Sequence, residues 1–193
     1  MKIAIAQTKG GCGKTTTTAY LALAAAQRGY RVEAWDADSQ GSLSDWSMAA
    51  DEVGETLPFQ VLPANAATIR KPSHADFVFI DTPPGDPAVI QAAIDASDLV
   101  IVPTNAAPMD VQRVWQTLEA SDHKRTAVLV VAAELNTTLL RDTIDALTSE
   151  GVFVCKSVIP KRQQIKKAFG SRPEKLHGYD DVLSELLEAT NDR

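Results

Sequence analysis

Lys9-Gly10-Gly11-Cys12-Gly13-Lys14-Thr15-Thr16 is the stretch that decides the fold. It follows a short apolar run, Ile3 to Ala6, and leads into Thr16 to Arg28, a helical pattern that Gly29 closes. Strand, glycine-rich curl and helix in that order are the setting a phosphate loop requires. Glycines let the backbone N–H groups turn inward on a polyphosphate, and the positive end of the helix adds to their attraction. Lys14 would contact the β- and γ-phosphates, and the Thr15 hydroxyl would join the oxygen shell of Mg²⁺. The simple form G-x-x-x-x-G-K-[ST] is not met: Thr8 stands at its first glycine and a second lysine, Lys9, follows.

Outward from this loop, apolar β-branched runs recur at Val32 to Trp35, Phe77 to Ile80, Leu99 to Val102, Ala127 to Ala133 and Val152 to Val158. Continuous runs of this kind suit strands buried on both faces. Helical patterns lie between them: Pro87 to Ala96 with Asp86 as N-cap, Met109 to Ser121, and Thr138 to Glu150, which Gly151 ends. The alternation predicts a doubly wound α/β fold, a mostly parallel sheet with helices on both faces, with ligands at the carboxyl ends of the strands. Residues 47 to 75, with Pro58, Pro63 and Pro72, read as loops around a short strand near Phe59 to Leu62, and no domain boundary is expected within 1–193.

Acidic residues stand at two further strand ends. Asp36-Ala37-Asp38-Ser39-Gln40-Gly41 follows the second strand, and Asp81-Thr82-Pro83-Pro84-Gly85 follows the run Phe77 to Ile80. Carboxylates at a strand's end beside a phosphate loop can hold a metal or polarise water. An Asp-Ser turn or helix cap is the alternative use of the first segment.

The bulk properties narrow the function. With 25 acidic against 19 basic residues and a net charge of −6, the chain is not one that coats itself on nucleic acid. Cys12 and Cys155 are its only cysteines and have no metal-ligand spacing, which argues against a disulfide framework or zinc site and suits a reducing cytoplasm. The N-terminal run is too short for a signal peptide or membrane span, so a soluble, unprocessed chain is expected.

The loop K-G-G-x-G-K-[ST], read here from Lys9 to Thr15, resembles that of the deviant Walker ATPases, which include ParA, MinD and the nitrogenase iron protein. The resemblance implies ATP hydrolysis by a homodimer in which Lys9 reaches across to the partner's phosphates, beside Gly10, Gly11, Cys12, Gly13, Lys14, Thr15 and Thr16. The segment from Asp36 is similar to the family's D-x-D-P-Q-G, with Ser39 in place of proline, which implies that Asp38 positions water and Asp36 supports Mg²⁺. The segment from Asp81 looks like its Walker B region, which implies a metal role for Asp81. Backbone around Ile159 and Pro160 is the expected base contact. An iron–sulfur cluster is not expected from Cys12 and Cys155. A membrane helix is not expected either, because the closing segment from Asp180 to Glu188 has acidic polar positions that anionic lipid would repel.

Seven basic residues against one acid lie between Lys156 and Lys175. The Ile159-Pro160-Lys161-Arg162 segment resembles the I-P-R-x region of ParA proteins, which implies DNA binding by Lys161, Arg162, Lys166, Lys167, Arg172 and Lys175. The stretch lacks interleaved aromatics and a recognition helix, so phosphate contacts without sequence preference are expected. The first strand starts at Lys2, so the resemblance is to small ParA proteins without an N-terminal helix-turn-helix, which implies that operator recognition would belong to a ParB-type centromere-binding partner, and a cytoplasmic, nucleoid-associated protein is expected. The rival expectations are a ParA relative that positions non-DNA cargo and a P-loop small-molecule ligase or kinase.

Overall fold

The computed structural model describes residues 1–191; residues 192 and 193, included in the single-domain expectation, lie outside it. The strands are β1 (Lys2–Ile5), β2 (Val32–Asp36), β3 (Gln60–Pro63), β4 (Phe77–Asp81), β5 (Leu99–Thr104) and β6 (Arg125–Val130). They form one sheet in the order β3-β2-β4-β1-β5-β6, and every pairing is parallel. Strand β1 lies between β4 and β5, where the order of connection reverses, so a crevice opens beyond its carboxyl end.

Alternation along the strands divides the core into two layers. Ile3 and Ile5 face α1 (Lys14–Gln27), α2 (Ser42–Glu52) and α7 (Tyr179–Asn191). Ala4 and Ala6 face the opposite layer, where α3 (Pro87–Ala96), α4 (Pro108–Ala120) and α5 (Thr138–Ser149) pack. Helix α1 is buried along Ala19 to Ala25, and its alanines allow sheet, α2 and α7 to approach closely. Asp86 caps α3 as expected, accepting from the Ala88 and Val89 amides at 3.1 Å. Val182, Leu183 and Leu186 of α7 are buried in the α1 layer, so the acidic closing segment has its apolar stripe against protein. No described helix is long and apolar enough to cross a membrane.

Two expectations need correction. Residues 47 to 75 are not all loop, because α2 runs to Glu52 with Leu43, Trp46 and Ala50 buried. The run Val152 to Val158 is not a seventh strand; it bridges β6 in isolation at Val128 to Val154, and a second isolated bridge, Ala133 to Pro160, lies beyond the ends of both. The reason is Glu185 of α7, whose carboxylate accepts the Lys156 and Ser157 amides, each at 2.7 Å, and draws the chain off the ladder. Beyond it the short helix α6 (Gln163–Lys166) interrupts the basic stretch.

Candidate functional site

The phosphate loop leaves β1 and curls through Gly11 and Gly13, both at positive φ (74° and 84°). Gly13 is the N-cap of α1 in the left-handed region, and a side chain there would press on Val131 at 3.4 Å. Lys14 opens the helix and is buried, its ammonium donating to the Lys9 carbonyl at 3.1 Å. The Cys12 thiol donates to the same carbonyl at 3.2 Å. Burial raises the Cys12 pKa despite Lys14 nearby, so this thiol is a poor nucleophile.

Sheet register brings the acids to the loop. Asp36 pairs with Asp81 across β2 and β4, and Asp81 with Ile5 across β4 and β1. Their environments differ. Asp36 accepts from the Ser44 amide and hydroxyl at 2.9 and 2.7 Å and from the Asp38 amide at 3.2 Å, so it fixes the start of α2 and the turn that carries Asp38. Asp81 is 1% exposed, and neither of its oxygens has a hydrogen-bond partner among the described residues. Burial pushes its pKa up to about 7; Asp36 and Asp38 reinforce the rise, and the Thr15 hydroxyl and Lys14 oppose it.

A buried carboxylate without a partner, beside a threonine hydroxyl and a lysine, fits Mg²⁺ held together with nucleotide phosphates. In that arrangement Thr15 and Asp81 would hold the ion, directly or through its waters. Bound there, Mg²⁺ would neutralise charge on the β- and γ-phosphates. The Pro83-Pro84-Gly85 turn lies close above: a Cβ on Gly10 would meet Pro84 at 3.8 Å.

A cavity of about 640 Å³ opens over the loop. Its floor is Gly10, Gly11, Gly13, Lys14, Thr15 and Thr16, and Asp38 stands on one side. Asp38 is half-buried and its carboxylate accepts from the Gln40 amide at 2.9 Å. Ile159 and Pro160 wall the other side. The Ile159 amide donates to Val130 and its carbonyl accepts from Ala133, each at 2.9 Å, so both backbone groups of Ile159 are tied into the fold. Lys9, Cys12, Asp36 and Asp81 do not line this cavity.

The expected DNA-binding residues divide. Lys161, Arg162 and Lys166 also wall the cavity, whereas Lys167, Arg172 and Lys175 are exposed away from it. Lys161 pairs with Glu134 at 2.6 Å on the surface and holds that carboxyl below the usual range. Sequence reasoning missed Trp46, Phe169 and Tyr179, which add aromatic walls, and Asp110, which pairs with Lys9 and accepts from the Asn105 amide. No local motif marks them.

Fold and loop together define a P-loop nucleotide-binding protein with the fold of the ParA/MinD-type ATPases, carrying the second lysine of the deviant Walker loop. Residues 3–173 match the CobQ/CobB/MinD/ParA nucleotide binding domain, and the chain belongs to that family. It is 34% identical over 144 residues to the maintenance of carboxysome distribution protein A of Halothiobacillus neapolitanus. That match covers 70% of this chain and 66% of the relative, just under two thirds of its length. An aspartate-to-alanine variant of Cyanothece McdA, solved in complex with ATP, superposes with a TM-score of 0.78 at 19% identity, covering 97% of this chain and 96% of that one. Cobyrinic acid a,c-diamide synthase of Mycobacterium smegmatis, solved with ADP and magnesium, gives 0.75 at 21% identity, covering 100% and 96%. At such identities the two structures establish the fold, which in them holds ATP in one and ADP with magnesium in the other.

Proposed function

We propose that this chain, taken as one domain over residues 1–193, is a DNA-partition ATPase of the ParA type that works as an ATP-dependent homodimer. The loop from Gly10 to Thr16 grips the phosphates, Thr15 and Asp81 hold Mg²⁺, and Asp36 supports the metal side through the Asp38 turn. Asp38 orients the attacking water. Two copies close face to face, and each Lys9 stabilises the charge that develops on the other's transferred phosphoryl group.

The dimer binds DNA without sequence preference through Lys161, Arg162, Lys166, Lys167, Arg172 and Lys175. Hydrolysis is slow, is stimulated by a ParB-type centromere-binding partner, and releases the DNA, so that plasmid or chromosomal DNA is segregated on the nucleoid. One observation carries this reading. Lys9 belongs to the phosphate loop, yet its half-exposed side chain is paired with Asp110 and does not line its own cavity, which favours service to a phosphate other than its own.

The match to a carboxysome distribution protein favours a second reading, in which the same cycle positions a protein assembly and uses DNA only as a surface. A ligase of this fold would instead need an acceptor substrate. Sedimentation of wild type and Lys9→Ala with ATP, with ADP and with neither, each with and without nonspecific DNA, tests the cycle. Dimers and DNA co-sedimentation are expected with ATP alone, phosphate release is expected without an acceptor, and Lys9→Ala should stay monomeric. Unchanged dimerisation and unchanged partner-stimulated hydrolysis in Lys9→Ala would refute the trans-lysine mechanism. ATP-dependent DNA binding that responds only to a non-DNA cargo's adaptor would select the second reading.

A further inference from the structure

Phe169 is the one aromatic residue in the basic stretch from Lys156 to Lys175, and it is 54% exposed. A lone apolar residue at a surface needs no explanation, but this one is held out of the core by its surroundings. The chain beyond it turns at Gly170, at φ 73°, where a side chain would press on Ala49 of α2 at 3.0 Å. The Trp46 indole N–H donates to the Ser171 carbonyl at 2.8 Å, and the Arg172 amide donates to Glu55 at 2.9 Å. The Ser171 amide and hydroxyl both donate to the Ala168 carbonyl, at 3.0 and 2.7 Å. The buried Trp46 ring backs that of Phe169, with centroids 5.8 Å apart and planes at 47°. The backbone around Phe169 is thus fixed while the ring stays open to solvent.

Cations flank the ring. Arg162, Lys166, Lys167 and Arg172 are exposed, and none of their side chains has an ion-pair partner among the described residues. Cations alone hold phosphates, and an immobile exposed ring among them adds a face on which a base can stack. In a duplex the faces of each base are covered by its neighbours, so only an unpaired base can use that ring. We propose that Phe169 is a base-stacking residue and that it gives the basic stretch a preference for single-stranded over duplex DNA. This rests on the reading of the stretch as DNA-binding. Every base has an aromatic face, so the contact distinguishes strand state and keeps the expected lack of sequence preference. Phe169 also stands at the rim of the nucleotide cavity. Trp46 and Tyr179, which wall the same cavity, are 2% and 1% exposed, whereas Phe169 leaves more than half its surface open, which favours a base arriving from outside over that of bound ATP.

The test measures binding by fluorescence anisotropy at saturating MgATP and fixed salt for wild type, Phe169→Leu, Phe169→Trp and the Arg162→Ala/Lys166→Ala double variant. The probes are a labelled thymine oligonucleotide, a base-free strand of the same length and a duplex of the same length. Wild type should bind the thymine strand more tightly than either of the others. Phe169→Leu should lose about five- to tenfold on the thymine strand alone, the low end of what one stacked base contributes, and Phe169→Trp should keep wild-type affinity. Loosening of the fold would instead weaken all three probes together. Should Phe169→Leu fail to fold, the wild-type contrast between thymine and base-free strands decides. Equal wild-type affinity for those two strands, or an equal loss on thymine strand and duplex in Phe169→Leu, overturns the proposal. So does a fall in ATP affinity, measured without DNA, as large as the fall on the thymine strand, because the ring would then serve the nucleotide's own base. If wild type binds no probe, or the double variant binds every probe as wild type does, the DNA-binding reading of the stretch has failed and the ring's role falls with it.

Discussion

Asp81→Asn should make the nucleotide-free protein more stable at neutral pH while removing its response to MgATP. Asp81 is buried with both oxygens unpartnered, and its pKa is pushed up to about 7. The rise over the ordinary aspartate value of about 4 is roughly three units, which corresponds to a folded-state penalty on the order of 4 kcal/mol for the ionised form. The sign follows from proton binding. Between pH 4 and 7 the folded protein keeps a proton that the unfolded chain has released, so this group's contribution to stability falls as pH rises and levels off above pH 7. Asparagine has the same shape without the charge, but its buried amide costs about 1–3 kcal/mol if unpaired.

The net effect of the substitution should therefore be near zero or slightly unfavourable at pH 5, and about 1–3 kcal/mol stabilising at pH 7.5. Urea unfolding in EDTA at both pH values measures it, and the difference between variant and wild type cancels the titration of every other group. Wild type should gain stability from MgATP by mass action, whereas Asp81→Asn should gain little. A variant less stable than wild type at pH 7.5 in EDTA would refute the reasoning, because it would mean that the carboxylate supports the apo fold instead of waiting for a cation.

Asp38→Ala should keep ATP affinity and lose turnover, checked by equilibrium nucleotide binding beside phosphate release; lost binding would put Asp38 in the metal shell. Arg162→Ala with Lys166→Ala should weaken DNA binding and lower its salt slope by about two, and unchanged affinity in a gel shift would assign DNA contact to other residues. Both side chains also wall the cavity, so ATP affinity without DNA is measured on the same protein. Ala132 lines the cavity at φ 49°, a left-handed conformation that costs a side chain about 1–2 kcal/mol. After the unfolded-chain entropy that glycine adds, Ala132→Gly should raise Tm by about 2 °C, and a lower Tm would show that the strain is absent.

Most of the fold was legible because its signals are local. Each core strand is a continuous apolar run, and α1, α3 and α5 have a capping side chain or a closing glycine beside them. What was missed depends on partners far along the chain. Helix α2 starts from Gly41 without a side-chain cap and has only Leu43, Trp46 and Ala50 buried, too sparse a stripe to outweigh the glycine and prolines that follow. The run from Val152 has every property of a strand except free amides, and those of Lys156 and Ser157 go to Glu185, 28 or 29 residues on. Asp110 lies 101 residues from Lys9, and nothing near it in sequence marks it as that lysine's partner.

The site shows the same division at finer scale. Asp36 and Asp81 both end buried strands, and register sets them directly opposite each other, so motif reading gives both to Mg²⁺. Ser44 separates their roles. Its amide and hydroxyl satisfy one Asp36 oxygen, and the Asp38 amide takes the other, so Asp36 is a strut for the segment that carries Asp38. Asp81 receives no such bonds and sits under the loop, its charge offset only in part by Thr15 and Lys14. The protein therefore presents a single poised carboxylate rather than an acidic pair, which suits a cation that takes most of its remaining ligands from phosphate and water. A change at Ser44 would accordingly act on the Asp38 turn before it acts on the metal.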